Sequence, residues 1–152
     1  MAGRRVLSVA VASGRVSYVF LVKGTLYSWR ISRQASKSPA ETARMVESWI
    51  HQLRPDVVVT ETITKHCRKG ETTIALIEAV ARVATDAPLL DVSVSRPHRY
   101  RNKYVEAEAL ADRFTELRPW VPKPRKSWDS EPRSTTLFEA LALALEVIDQ
   151  RD

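Results

Sequence analysis

Two glycine-bearing turns, ten residues apart, constrain this chain before any other feature does. Arg5 to Ser13 alternates around Val6, Leu7, Val9 and Val11 and runs into Ser13-Gly14-Arg15. Val16 to Val22 is rich in β-branched and aromatic residues, and Lys23-Gly24 leads on to a third such run, Thr25 to Ile31. Connections this short join antiparallel neighbours, because a parallel partner needs a crossover of about a dozen residues. The chain therefore opens as a three-stranded antiparallel meander.

The hydrophobic period then changes. Ser38-Pro39-Ala40-Glu41 combines an N-cap serine, a proline at the first helical position and a glutamate at the third. Ala43, Val46, Ile50 and Leu53 follow on one helical face, and Pro55 closes the helix. Asp56-Val57-Val58-Val59-Thr60-Glu61 is a continuous apolar run ending in a carboxylate, the pattern of a strand covered on both faces. A basic loop, Lys65 to Lys69, precedes a helix from Glu71 to Ala84. Leu89 to Val94 reads as a fifth strand, and a second basic loop runs from Arg96 to Lys103. Asn102 is placed to cap a helix carrying Val105, Ala109, Leu110 and Phe114. Pro119, Pro122, Pro124 and Pro132 argue against regular structure over most of the stretch from Arg118 to Arg133, and a Leu/Ala-rich helix from Glu131 to Ile148 ends the chain. The order β-β-β-α-β-α-β-α-α predicts an α/β domain spanning residues 1–152, with a mixed five-stranded sheet and helices on both faces. It is the element order of the RNase H-like fold.

A chain of 152 residues fits one such domain, and no apolar run approaches the roughly 18–20 residues of a membrane span. The N-terminal Met-Ala-Gly-Arg-Arg passes into a strand rather than an apolar signal core. Cys67 is the sole cysteine, which rules out an internal disulfide and suits a reducing compartment, so a cytoplasmic location is expected. The four glycines form no phosphate-binding loop, and three histidines with one cysteine give no zinc spacing. His66 and Cys67 are adjacent, a poor geometry for a base and its nucleophile, so Cys67 reads as an incidental thiol.

Charge points to a polyanion. Twenty-four Lys and Arg against eighteen Asp and Glu leave a net +6, and the excess sits in three segments. The loop after the fourth strand holds Lys65, Arg68 and Lys69, and the loop after the fifth holds Arg96, Arg99, Arg101 and Lys103. The proline-rich segment adds Lys123, Arg125, Lys126 and Arg133. Parallel fourth and fifth strands would send both loops out at the carboxyl edge of the sheet, where α/β proteins build ligand sites. Tyr100, Tyr104, Trp120 and Trp128 lie among these cations and could stack bases; alternatively the tryptophans tuck the proline-rich segment onto the core. DNA or RNA is the expected partner.

Three stretches carry a resemblance to a known family. Arg5-Val-Leu-Ser-Val-Ala-Val-Ala-Ser-Gly14, Pro55-Asp-Val-Val-Val-Thr-Glu61 and Phe138-Glu-Ala-Leu-Ala-Leu-Ala-Leu145 resemble the first strand, central strand and closing helix of RuvC-type Holliday-junction resolvases. The resemblance implies a catalytic, metal-binding role for Glu61 and Glu139, with Mg²⁺ or Mn²⁺ as the cofactor of an active nuclease. It also implies a homodimer, which an exposed Leu/Ala face of the last helix could serve.

The chain departs from that pattern where the chemistry is concentrated. Ala10 stands where the family has a metal-binding Asp, no carboxylate occurs from Met1 through Ala40, and Thr136 stands where the family has another acid. Glu139 replaces an Asp, and Asp129 and Glu131 are the remaining candidates for a carboxylate site. On a helical projection Glu139 lies far from the Leu137, Leu141, Leu145 and Ile148 stripe, so a solvated position is expected for it. The reading is a nucleic-acid-binding RuvC/RNase H-like domain without a complete two-metal nuclease site. Its alternatives are an endonuclease or junction resolvase with a rearranged carboxylate site, and a protein-interaction module with a basic face.

Overall fold

Lys23 and Gly24 both take positive φ, 53° and 77°, the backbone of a two-residue hairpin turn that matches the twist of its flanking strands. This turn and the one at Gly14 (φ 79°) fold β1 (Arg5–Ala12), β2 (Arg15–Val22) and β3 (Thr25–Ser32) into the expected antiparallel meander. The structure, a computed structural model, describes residues 4–64, 69–95, 99–124 and 132–149. Two parallel strands, β4 (Val57–Glu61) and β5 (Leu90–Val94), complete a five-stranded mixed sheet of order β3-β2-β1-β4-β5. The apolar run of Val57, Val58 and Val59 is fully buried, as a strand covered on both faces must be.

Alternation along β1 divides the core into two layers. Leu7, Val9 and Val11 pack with Val46 and Trp49 of α1 (Pro39–Leu53) and with Leu76, Ile77, Val80 and Val83 of α2 (Glu71–Asp86). Val6 and Ala10 join the opposite layer, built from α3 (Lys103–Arg113) and α4 (Thr135–Ile148). Between them along the strand, Ser8 donates from Oγ to the main-chain oxygen of Ala140 at 2.6 Å, fixing α4 across the centre of the sheet.

Local signals hold these elements in place. Ser38 Oγ accepts from the Glu41 main-chain N–H at 3.1 Å, the predicted cap of α1. At the other end of α1 the Arg5 guanidinium donates to the main-chain oxygens of Leu53 and Arg54, where a cation meets the negative end of the helix. Asn102 caps α3 through the N–H groups of Tyr104 and Val105.

Two expectations change. The last helix begins at Thr135 rather than Glu131, because Pro132, Arg133 and Ser134 form a turn whose oxygens receive the N–H groups of Thr135, Thr136 and Leu137. Second, α4 is not amphipathic: every residue from Thr135 to Ile148 except Glu146 is buried, Glu139 included. Its Leu/Ala surface lies inside the fold, so a dimer contact would need another surface. The proline-rich stretch opens on the end of a 3-10 helix, Thr115–Trp120, which includes Pro119; so short a helix needs few internal bonds, and the buried Leu117 anchors it. Among the described residues, no helix is long and apolar enough to cross a membrane.

Two stability outcomes follow. Leu141, 0% exposed, should cost about 2–5 kcal/mol on Leu141→Ala in urea denaturation. Tyr27→Ala, at a residue 66% exposed, should stay within about 0.5 kcal/mol of the wild type. Arg113 and Asp149 clamp α3 to the end of α4 through two hydrogen bonds, 2.8 and 2.9 Å, and the guanidinium holds the Asp149 carboxyl below its ordinary 3.8. A depressed carboxyl stabilises above its unfolded value and loses that contribution as pH falls through its folded one. Both side chains are nearly half exposed, so Asp149→Asn should lose less than about 1 kcal/mol at neutral pH. The difference from wild type should close as pH drops below 3.8.

Candidate functional site

Because β1, β4 and β5 are parallel, their carboxyl ends share one edge of the sheet. Glu61, the last residue of β4, sits there, and so does the main-chain oxygen of Val11 near the end of β1. The first turns of α4 reach the same edge. Arg15, the first residue of β2, donates from Nε to Thr136 Oγ1 at 2.8 Å and from Nη2 to Thr135 Oγ1 at 3.2 Å. A third guanidinium bond, from Nη1 to the Ser13 oxygen at 2.9 Å, holds the arginine against its own turn. Arg15 is buried, so these contacts replace water around a charge.

One helical turn beyond Thr136, Glu139 turns into this edge. Its partner is Lys69, the residue before Gly70, which is the N-cap of α2. The Lys69 ammonium donates to Val11 O at 2.8 Å, to Glu61 Oε1 at 3.0 Å and to Glu139 Oε2 at 3.5 Å. The side chains of Lys69, Glu61 and Glu139 are 20%, 8% and 9% exposed. Three elements, β1, β4 and α4, thus each give one oxygen to a single nitrogen. Glu61 and Glu139 do converge, but a lysine lies between them. The solvated position expected for Glu139 fails because the helical projection assumes one wet face, and α4 has none at this turn.

Hard divalent cations take six or more oxygen ligands, with several waters among them. The described residues meet this demand poorly. Ala10 faces the α4 layer with no oxygen to offer, Thr136 gives its hydroxyl to Arg15, and Lys69 holds the two carboxylates. Among the described residues no group of three His, Cys, Asp or Glu side chains comes together. The described residues do not fit a two-metal centre.

The other predicted residues divide by position. Arg133 is exposed in the turn that leads into α4, and Arg101 and Lys123 are exposed on either side of α3 in sequence. Arg99 is drawn along α4 to Glu146, 2.8 Å away, two turns beyond Glu139. Lys103 lies with its ammonium 5.6 Å from the Tyr104 ring. Trp120 meets Trp29 of β3 edge-to-face, with ring centres 5.6 Å apart, which ties the proline-rich segment to the sheet while leaving the indole 38% exposed. Lys65, His66, Cys67, Arg68, Arg96, His98, Arg125, Lys126, Trp128, Asp129 and Glu131 lie outside the described residues.

Sequence reasoning placed Lys69 among cations facing outward and gave Arg15 no role beyond its turn. For Arg15 a signal was available: it opens a strand within a stretch, Met1 through Ala40, that holds no carboxylate.

No family model matches the sequence, and no curated protein matches it. Solved structures do. Thermus thermophilus RuvC is 15% identical, with a TM-score of 0.62 over 94% of this chain and 95% of that one. T. thermophilus RuvC in complex with a Holliday junction substrate is 18% identical, with a TM-score of 0.60 over 93% and 90%. The fowlpox virus Holliday junction resolvase is 12% identical, with a TM-score of 0.62 over 95% and 98%. At such identities the likeness concerns the fold, and it runs nearly end to end: the chain has the RNase H-like fold of RuvC and other Holliday junction resolvases.

Proposed function

We propose that this chain binds nucleic acid, branched DNA foremost, as a single cytoplasmic RNase H-like domain that does not cleave it by two-metal hydrolysis. The observation that carries the reading is Lys69 between Glu61 and Glu139, at the sheet edge where the fold concentrates its ligand sites. Two-metal hydrolysis needs a pair of cations about 4 Å apart, held by several carboxylates. The net +6 charge and the exposed Arg101, Lys123 and Arg133 favour phosphate contacts. Structural neighbours that include a RuvC and a fowlpox resolvase in complex with Holliday junctions support a four-way junction as the first ligand to try.

Binding to four-way, duplex and single-stranded oligonucleotides at low salt, followed by fluorescence anisotropy, tests the reading. The expected result is binding that weakens as salt rises, with strands intact after incubation in Mg²⁺ or Mn²⁺. No binding to any of the three overturns it and leaves the basic face to an acidic protein partner. Cleavage that disappears in Glu61→Gln overturns the non-cleaving half and favours a rearranged carboxylate site. Arg101→Ala, Lys123→Ala and Arg133→Ala should each weaken binding across sequences and reduce the slope of log affinity against log salt by about 1 where the residue contacts a phosphate.

A further inference from the structure

We propose that the Lys69 ammonium is the built-in counter-ion of the acidic centre, taking the place of a divalent cation between Glu61 and Glu139, so that nucleic-acid binding at this edge is independent of metal. The inference rests on the nucleic-acid reading for its functional consequence, but its electrostatic core stands on geometry alone. An ammonium has three N–H bonds and no acceptor, and Lys69 directs its donors at Val11 O, Glu61 Oε1 and Glu139 Oε2. All three side chains are largely withdrawn from water, so the attraction is weakly screened by salt.

The charge balance explains what the lysine accomplishes. Two carboxylates pointing into one buried edge would repel a phosphate and raise the cost of their own desolvation. Lys69 offsets one negative charge directly. Arg15, buried against Thr135 and Thr136 one turn before Glu139, brings a second positive charge to the same end of α4. Among the described residues, the two acids and two bases balance at this edge. A divalent cation entering there would have to expel the ammonium, because it needs the same carboxylate lone pairs and is repelled by the positive charge holding them.

The lysine also does something an ion in solution cannot. It is covalently part of the chain that enters α2, one residue before the cap at Gly70. Its contacts therefore pin the carboxyl end of the loop between β4 and α2 to β1 and α4. In this arrangement Lys69 is a positioning residue for the entry to α2, acting through the acidic centre rather than by touching a phosphate.

Metal titration with thermal melting provides the test, using the full chain and no nucleic acid. Wild type and Glu61→Gln should respond identically to millimolar Mn²⁺. Lys69→Met should melt lower than wild type in EDTA and recover by about 5 °C at saturating Mn²⁺, since an ion can then take the vacated place. A wild-type rise in melting temperature that Glu61→Gln abolishes overturns the inference, as does a folded Lys69→Met indifferent to Mn²⁺. If Lys69→Met does not fold, the comparison of wild type with Glu61→Gln decides by itself. A second arm measures four-way junction affinity in EDTA and in Mg²⁺ at matched ionic strength. Wild type should bind equally in both, and Lys69→Met should bind roughly tenfold more weakly in EDTA and regain affinity in Mg²⁺. A wild type that needs Mg²⁺ to bind overturns metal independence. Failure to bind DNA at all is read in the second arm only, so the function and the counter-ion stand or fall separately.

Discussion

The seating of α4 across β1 governs both the core and the site. A helix buried on nearly every side loses water from all its faces, so each polar atom it carries has to meet a partner as the helix docks. Ser8 meets the Ala140 oxygen at the middle of the contact, and Arg15 meets the hydroxyls of Thr135 and Thr136 at its start. Lys69 meets Glu139 between them. These contacts set the position of α4 along β1, and the Leu and Ala side chains fill the space that position leaves. A slip of one residue would turn Glu139 away from the lysine and carry an apolar side chain into the carboxyl edge.

That dependence explains why the centre is built from side chains of such different reach. Glu61 arrives on a strand whose three preceding valines are fully buried, so its position is held by the sheet. Glu139 arrives on a helix locked by packing. The third member has to span the gap between two rigid elements and β1, and a lysine on a loop, with four methylenes, can do so. Buried ion pairs rarely stabilise more than the apolar groups that could replace them, because desolvation offsets much of their attraction. Their strength lies in register: an unmatched charge at this edge is far more costly than a matched one, which disfavours every misaligned docking of α4.

The local architecture was legible because its signals are local. The Ser38 cap, the Lys23-Gly24 turn and the valine run of β4 each state their conformation within a few residues, and each appears where expected. The convergence of Glu61 with Glu139 could be anticipated too, through the resemblance of their flanking stretches to one family. What could not be read is how far a side chain travels. Lys69 sits in a basic loop whose composition suggests solvent, and its inward turn depends on acceptors 58 and 70 residues away in sequence. Glu139 misled for the opposite reason. Helical projection ranks faces within one helix, whereas its burial comes from elements outside that helix.

Among the described residues, the centre is a coherent electrostatic arrangement of two carboxylates and a tethered cation. Consider the single changes that would lead back toward a metal centre. A carboxylate at position 10 would face the α4 layer and add negative charge to an edge whose cation is already in place, strengthening the hold on the ammonium. Loss of Lys69 alone would open a place for one cation, with waters completing its ligands, but not for a pair, because Thr136 would still be engaged with Arg15. Each step taken alone either tightens the present arrangement or stops short of a two-metal centre. Only concerted change at Ala10, Lys69 and the Thr136–Arg15 contact would supply the oxygen ligands that a pair of cations needs. An arrangement protected in this way is a stable electrostatic solution to one geometric problem: bringing two carboxylates together at the carboxyl edge of the sheet.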